Sequence, residues 1–221
     1  MCFSAGASFG AGAVLGTIGI VTLKTAKTTN EIPFASIPLL FGAQQAAEGV
    51  LWIGLSSGNE SWKHLPVYIF LIFAQLVWPV WIPFSILKLE NDRTRGTIIK
   101  GMLGMGTFIS LYLMYCMFVY EVKAEIHSGH ILYTLNFPTE FAWITGVFYF
   151  VPTVVPLFIS CIKRIQLLGL AVLASFVFSK IYYAEHLISV WCFFSSILSI
   201  IIFWIVLKLK NVVHNDIGIL V

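Results

Sequence analysis

Charge is scarce in this chain of 221 residues, because Asp, Glu, Lys and Arg together make up only 10% of it. A soluble globular domain usually carries about 25% charged residues. This scarcity excludes a large soluble domain. The net charge of +3 does not indicate nucleic-acid binding, because the basic residues lie at the ends of apolar stretches and form no basic patch.

Cysteine is also scarce. The four cysteines are too few and too scattered for a disulfide scaffold. Long polar segments are lacking as well, so nothing indicates a second domain. We therefore predict that residues 1–221 form a single integral-membrane domain.

Hydrophobic residues make up 59% of the chain, and they are concentrated in long runs. Each run approaches the ~20 residues that a helix needs to cross a ~30 Å hydrocarbon layer. Because lipid cannot hydrogen-bond a backbone, such runs must be helical. The sequence thus predicts an all-α bundle of seven transmembrane helices. The predicted spans are Met1–Val21, Phe34–Leu55, Leu65–Leu87, Gly101–Tyr120, Phe141–Ile162, Leu167–Ala184 and Leu187–Leu207.

The basic residues are distributed unevenly between the two sides of this predicted bundle. Ten of the thirteen Lys and Arg residues fall in the first, third and fifth loops and in the C-terminal tail, and the other three are Lys63, Lys123 and Lys180. Short loops rich in Lys and Arg remain in the cytoplasm. We therefore expect the N-terminus outside and the C-terminus in the cytoplasm.

The second predicted span carries a polar stripe. Gln44, Glu48 and Trp52 are spaced i, i+4, i+8, and Gln45 precedes Glu48 by three residues, so all four share one face of a helix. A carboxylate inside hydrocarbon must be paired, bound to a metal or protonated. Two interpretations stay open: Glu48 is a functional group, or it is a protonated side chain that hydrogen-bonds neighbouring helices.

Polar groups at a similar depth occur on other spans, and they predict one cavity that opens to the outside. Lys180 has two open interpretations: it pairs with Glu48, or it extends along the helix to the membrane surface. The inner halves of the spans are mostly aliphatic or Phe, which argues against a pore. The predicted lining residues besides the stripe are Gln75, Trp78, Tyr112, Lys180, Tyr182, Tyr183 and His186.

Three residues are candidates for catalysis and for binding a transition metal such as zinc: Glu48, His186 and Cys2. Carboxylate, imidazole and thiolate are all competent ligands, and a thiol is also a competent nucleophile. A buried structural role for Cys2 stays open. The pair in His127-Ser-Gly-His130 has no adjoining acidic ligand except Glu125, so metal binding there is a minor alternative.

The first span is rich in glycine. Gly6 and Gly10, and Gly12 and Gly16, have the small-xxx-small spacing of close helix contacts. The spacing predicts tight packing, either inside the bundle or between protomers of a homo-oligomer.

Three segments carry a resemblance to a known family: Met1-Cys2-Phe3-Ser4-Ala5, then Gln44-Gln45-x-x-Glu48-Gly49-x-x-Trp52, and Trp191-Cys192-Phe193-Phe194. The chain resembles an uncharacterised family of bacterial seven-helix membrane proteins, known as a domain of unknown function. The resemblance implies the bacterial inner (plasma) membrane and no particular activity.

Three functions remain open. The first is a membrane-embedded enzyme, with or without a metal, that acts on a lipid or an apolar small molecule through Glu48, His186 and Cys2. The second is a ligand-binding sensor or small-molecule transporter that uses the same cavity. The third is a structural subunit that packs through the glycine-rich first helix.

Overall fold

The computed structural model describes residues 4–57 and 64–217, and 82% of the structure is helical. Two strands form a hairpin, and short 3₁₀ turns precede two of the helices. The elements in chain order are α1 (Ala5–Thr25), α2 (Ile32–Ala35), α3 (Ile37–Ser56), α4 (His64–Leu71), a π-helical segment (Ile72–Val77), α5 (Trp78–Leu89), α6 (Arg93–Val119), β1 (Val122–His127), β2 (His130–Leu135), a 3₁₀ turn (Thr139–Phe141), α7 (Ala142–Ile159), α8 (Lys163–Tyr182), a 3₁₀ turn (Ala184–His186), α9 (Leu187–Ile197) and α10 (Ser199–Ile217).

Six helical segments in the described part of the chain are long and apolar enough to cross a membrane, which indicates an integral membrane protein. The predicted second span is the exception. It forms α3, whose 20 residues equal a span in length, but α3 is not one of the six and carries Gln44, Gln45 and Glu48 in its middle. The six segments are Ala5–Thr25, Leu65–Leu89, Arg93–Val119, Ala142–Ile159, Lys163–Tyr182 and Ala184–Leu209.

Helix α1 packs tightly and antiparallel on α3. A Cβ added to Gly12 would lie 3.1 Å from the carbonyl oxygen of Gly42, and one added to Gly19 would lie 2.5 Å from the backbone nitrogen of Leu39. Later positions in α1 therefore lie beside earlier positions in α3, as two antiparallel helices require. Small residues let the two backbones approach, so part of the glycine pattern of α1 is explained inside the bundle.

Helix α6 likewise packs antiparallel on α5, because Gly96 faces Leu87 whereas Gly106 faces Pro79. The turn around Glu90 between α5 and α6 meets Cys161, just after the end of α7. One end of the bundle, here called the hairpin end, carries the β-hairpin, the end of α3 and the 3₁₀ turn Ala184–His186. The opposite end carries the turn around Glu90 between α5 and α6.

The hairpin of β1 and β2 connects α6 to α7. Its two-residue turn, Ser128 and Gly129, has positive φ angles of 50° and 77°, as in the tight turns that suit the twist of a hairpin. Ile131 is fully buried, and the ring of Tyr133 stacks on Phe70 at 4.9 Å between centroids. The hairpin thus covers α4 and closes one end of the bundle.

Glu90 joins α5 to the end of α7 at the opposite end. Its carboxylate accepts hydrogen bonds from the backbone amides of Cys161, at 2.8 Å, and Asp92, at 3.0 Å. Partial burial alone would raise the pKa of Glu90, but these hydrogen bonds outweigh it, so that the pKa lies below its usual value of 4.5.

We predict that Glu90→Gln lowers the thermal unfolding temperature at neutral pH. Because the folded-state pKa of Glu90 is lowered, its stabilisation is present above the unfolded-state pKa and is lost as pH falls through the folded-state pKa. Thermal unfolding in detergent at several pH values should show a gap between wild type and variant at pH 7 that closes in acid. The exposed Glu140→Gln is the control and should show no gap. A Glu90→Gln gap that persists unchanged in acid would contradict this role.

Candidate functional site

The polar stripe of α3 faces the inside of the bundle. Gln44, Gln45 and Glu48 are each 0% exposed, and Trp52 is 6% exposed. The opposite face of α3 carries Val50 and Ile53, which are 44% and 55% exposed. The helix therefore turns its polar groups away from the surroundings and toward its neighbours.

Glu48 meets the start of α9. The hydroxyl of Ser189 donates a hydrogen bond of 2.6 Å to Oε1 of Glu48, and both residues are 0% exposed. Cys192 lies one turn further along α9, beside both Gln44 and Glu48. The stripe is therefore held against α9, the helix that follows the 3₁₀ turn containing His186.

Gln44 meets α5. The indole Nε1 of Trp78 donates a 3.0 Å hydrogen bond to Oε1 of Gln44, and the ring of Trp78 stacks on Phe41 at 4.0 Å between centroids. Buried indoles usually find such a partner. This contact fixes α5 against α3 beside the polar stripe.

Other polar atoms of the stripe find no such partner. Within residues 4–57 and 64–217, both amide atoms of Gln45, Nε2 of Gln44 and Nε1 of Trp52 are buried without a hydrogen bond. A buried polar group left unpaired costs about 1–3 kcal/mol. Each of these atoms is therefore an unsatisfied polar group in the interior of the bundle.

A cavity of about 600 Å³ lies beside α9, which contributes Leu187, Ile188, Trp191 and Cys192 to its lining. Its wall is mostly apolar and includes seven aromatic side chains, and Lys180 is the one charged side chain among the described residues that line it. Trp143, 72% exposed, borders the cavity, so the cavity reaches the surface of the bundle. Its lining includes Gln75, Tyr112, Phe137, Trp143, Thr145, Gly146, Tyr149, Phe150, Phe176, Lys180, Trp191 and Cys192.

The π-helical segment Ile72–Val77 shapes one wall of this cavity, to which it contributes Ala74 and Gln75. A π segment disturbs the regular backbone hydrogen bonds and often occurs at functional sites. Side chains of other helices donate hydrogen bonds to its carbonyl groups. The hydroxyl of Tyr149 donates to the carbonyl oxygen of Ala74, and the hydroxyl of Ser110 donates to that of Leu76 at 2.8 Å. The wall is thus fixed by α6 and α7.

A second, apolar cavity of about 50 Å³ adjoins the first, and Tyr149, Trp191 and Cys192 line both. These three side chains therefore separate the larger cavity from the deeper apolar interior. Besides lining both cavities, Cys192 lies beside Gln44 and Glu48. It connects the polar stripe with the cavity wall.

The structure divides the predicted site residues between these places. Gln75, Tyr112 and Lys180 line the larger cavity, whereas Trp78 lines the smaller one. Tyr182 is 68% exposed and contacts Phe178. Gln44, Gln45, Glu48 and Trp52 form the buried stripe, and Cys2 lies outside the described residues.

His186, 8% exposed, lies in a cluster at the hairpin end. Potential ligand atoms of His127, Glu185 and His186 all lie within 4.8 Å of one another, and Glu48 does not belong to this group. His130 stacks on His186 at 5.0 Å between ring centroids and meets Tyr183 edge-on at 5.4 Å. Burial, and secondarily the neighbouring His186, lowers the pKa of His130.

The sequence did not single out Ser189 or Tyr149. Ser189 follows His186 by three residues and thus lies near it on a helical turn, which is a weak signal. Tyr149 lies in an apolar run, where nothing distinguishes it from a lipid-facing aromatic residue. The roles of these two residues depend on contacts between distant helices, which no local sequence pattern reveals.

No curated protein matches the chain, and no solved structure matches it. A family model described as "Family of unknown function (DUF6629)" matches residues 1–216. The resemblance to an uncharacterised family is therefore confirmed. The chain belongs to DUF6629, a family of unknown function.

Proposed function

We propose that this membrane protein binds an apolar small molecule or lipid that carries one anionic group, as a sensor or small-molecule transporter does. The observation that supports this is the cavity of about 600 Å³ with aromatic walls and Lys180. Ligand-binding pockets commonly measure about 300–1,000 Å³ and combine apolar walls with a few polar groups.

The charge of the ligand follows from Lys180. This residue lies in the last turn of α8, and no carboxylate in the described part of the chain forms an ion pair with it. An ammonium group on an aromatic wall is a good partner for a carboxylate or phosphate. Gln75 and Tyr112 add hydrogen-bonding groups to the lining of the same cavity.

The proposed setting is the bacterial inner membrane, with seven spans, the N-terminus outside and the C-terminus in the cytoplasm. The distribution of Lys and Arg supports this orientation. Helix α3 is the seventh span: its polar face meets Trp78 of α5 and Ser189 of α9, whereas its exposed side carries the apolar Val50 and Ile53. The hairpin end and the mouth of the cavity then lie on the outer side.

The test uses purified protein in detergent and two fluorescent single-chain probes, one ending in a carboxylate and one in a neutral amide. We expect Lys180→Gln to weaken carboxylate-probe binding by roughly tenfold, because a charge-assisted hydrogen bond contributes about 1.5–3 kcal/mol. Binding of the amide probe should change little.

Lys163→Gln is the matched control, because Lys163 is an exposed lysine at the opposite end of α8. It should leave both probes unaffected. Equal binding of the carboxylate probe by wild type and Lys180→Gln, or no binding by either, would refute the proposed function.

A membrane-embedded enzyme that acts on a lipid or apolar small molecule is the second candidate. The buried hydrogen bond from Ser189 to Glu48 favours it, because a carboxylate that accepts a hydrogen bond from a hydroxyl is placed as a general base is. In such an enzyme, Glu48, His186 and Cys2 would have the catalytic and metal-binding roles that the sequence predicts. Mass-spectrometric analysis of lipid extracts incubated with wild type and Glu48→Gln tests it, because only wild type should form product.

A structural subunit is the third candidate. Gly6 and Gly10 are exposed and have open space where a Cβ would stand, so their side of α1 is available for a second copy of the chain. Crosslinking through α1 in native membranes distinguishes this function from the other two.

A further inference from the structure

Two separate elements bring metal-binding side chains together at the hairpin end. His127 ends β1, whereas Glu185 and His186 belong to the 3₁₀ turn between α8 and α9. Their potential ligand atoms lie within 4.8 Å of one another. Glu185 and His186 follow His127 by 58 and 59 positions in the sequence, so the group forms only when the chain folds.

The hairpin turn determines where His127 stands. His127 and His130 are the cross-strand pair next to the two-residue turn Ser128–Gly129, and paired residues project to the same face of a hairpin. The rings of His127 and His130 lie 5.7 and 5.0 Å from that of His186 between centroids. The hairpin therefore presents both rings to the 3₁₀ turn.

His186 provides an independent sign of a missing ligand. It is 8% exposed, and within residues 4–57 and 64–217 its Nδ1 is buried without a hydrogen-bond partner. A buried ring nitrogen needs a hydrogen-bond partner, a water or a metal ion. His127 and Glu185 are exposed, so their side chains are free to rotate toward a common centre.

We propose that His127, Glu185 and His186 bind a divalent transition-metal ion of the zinc class at the hairpin end. Imidazole nitrogen and carboxylate oxygen bind Zn²⁺ at about 2.0–2.2 Å, which places the ligand atoms of a tetrahedral site roughly 3.3 Å apart. Small rotations of the two exposed side chains bring the present separations to that value.

Two histidines and one glutamate are also the protein ligands of zinc sites that keep one position open. That position is available to water or to an anionic group. His130 stacks on His186 and holds its ring in place, so it acts here as a positioning residue. The site differs from the sequence-based set, because it uses His127 and Glu185 in place of Glu48 and Cys2, and it does not depend on the proposed ligand cavity.

The test measures Zn²⁺ binding to purified, full-length protein after treatment with a chelator, by isothermal titration calorimetry and elemental analysis. Wild type should bind one Zn²⁺ per chain, and Co²⁺ should give the visible spectrum of a low-symmetry four-coordinate site. His127→Ala and Glu185→Gln should each weaken binding by more than the roughly 10- to 100-fold that loss of an outer-shell partner costs. Both residues are exposed, so these variants should fold even if His186→Ala does not.

Glu125→Gln is the matched control, because Glu125 is an exposed acid on the same strand and lies outside the cluster. It should bind Zn²⁺ as wild type does. Three results would overturn the proposed site: no stoichiometric Zn²⁺ in wild type, equal loss of affinity in Glu125→Gln and Glu185→Gln, or binding that survives His127→Ala but is lost in Glu48→Gln.

Discussion

Gly106→Ala is expected to destabilise the bundle severely, although alanine is the better helix former. A Cβ at position 106 would lie 1.8 Å from the carbonyl oxygen of Pro79 and 3.2 Å from Cβ of Pro152. The nearer atom belongs to the backbone of α5, so no side-chain rotation relieves the collision and α6 must move away. Overpacking in a well-packed interior costs about 1–3 kcal/mol or more.

The matched control lies half a turn away on the same helix. Gly104 is exposed, and nothing lies within 4 Å of a Cβ placed there. Gly104→Ala should therefore be neutral or stabilising by about 0.5–1 kcal/mol, the usual gain in helix propensity. Thermal unfolding and size-exclusion chromatography in detergent compare the two variants, and equal behaviour would show that α6 does not approach α5 as described.

Ser189→Ala is expected to cause the second large loss of stability. The variant deletes the hydroxyl that donates a 2.6 Å hydrogen bond to Glu48, and both residues are 0% exposed, so water cannot replace it. Removing one partner of a buried hydrogen bond costs about 1–3 kcal/mol. For a domain of this size the unfolding temperature should fall by roughly 2–12 °C.

Ser85→Ala separates the hydrogen bond from the general effect of deleting a buried hydroxyl. Ser85 is also 0% exposed, but its hydroxyl has no hydrogen-bond partner among the described residues. Its replacement should be neutral or stabilising, because an unpaired polar atom is removed. If Ser85→Ala lowers the unfolding temperature as much as Ser189→Ala, the Glu48 contact has no special role.

Apolar runs were sufficient to predict most of the helices. Boundaries were harder, because helix ends depend on capping groups as well as on hydropathy. Helix α6 begins at Arg93, eight residues before the predicted span, because Asp92 caps it by accepting a 2.7 Å hydrogen bond from the amide of Arg95. The π segment before Trp78 has no sequence signature of its own, because contacts from α6 and α7 stabilise it.

The β-hairpin shows a different limit. Its strands are partly polar, with Lys123, Glu125 and Thr134 exposed, so their pattern resembles that of a loop. The turn dipeptide Ser-Gly was visible in the sequence, but the burial of Ile131 depends on α4 and could not be read from it. The cluster of His127 with His186 was unpredictable for the same reason.

Helical spacing predicted that the residues of the α3 stripe share a face, and the structure places that face inside the bundle. Spacing within one helix carries no information about which helix lies opposite. Pairing of Lys180 with Glu48 was one sequence-based alternative, and no such ion pair is present among the described residues, where Lys180 lines the cavity instead. The contact of Glu48 with Ser189 depends on how α3 packs on α9, so the sequence alone could not predict it.

Native mass spectrometry of protein extracted gently from membranes tests the proposed ligand cavity most directly. Wild type and Lys163→Gln should each carry one apolar anionic molecule per chain, and Lys180→Gln should carry substantially less. Equal occupancy in all three proteins, or no bound molecule in wild type, would contradict a cavity that holds its ligand through Lys180.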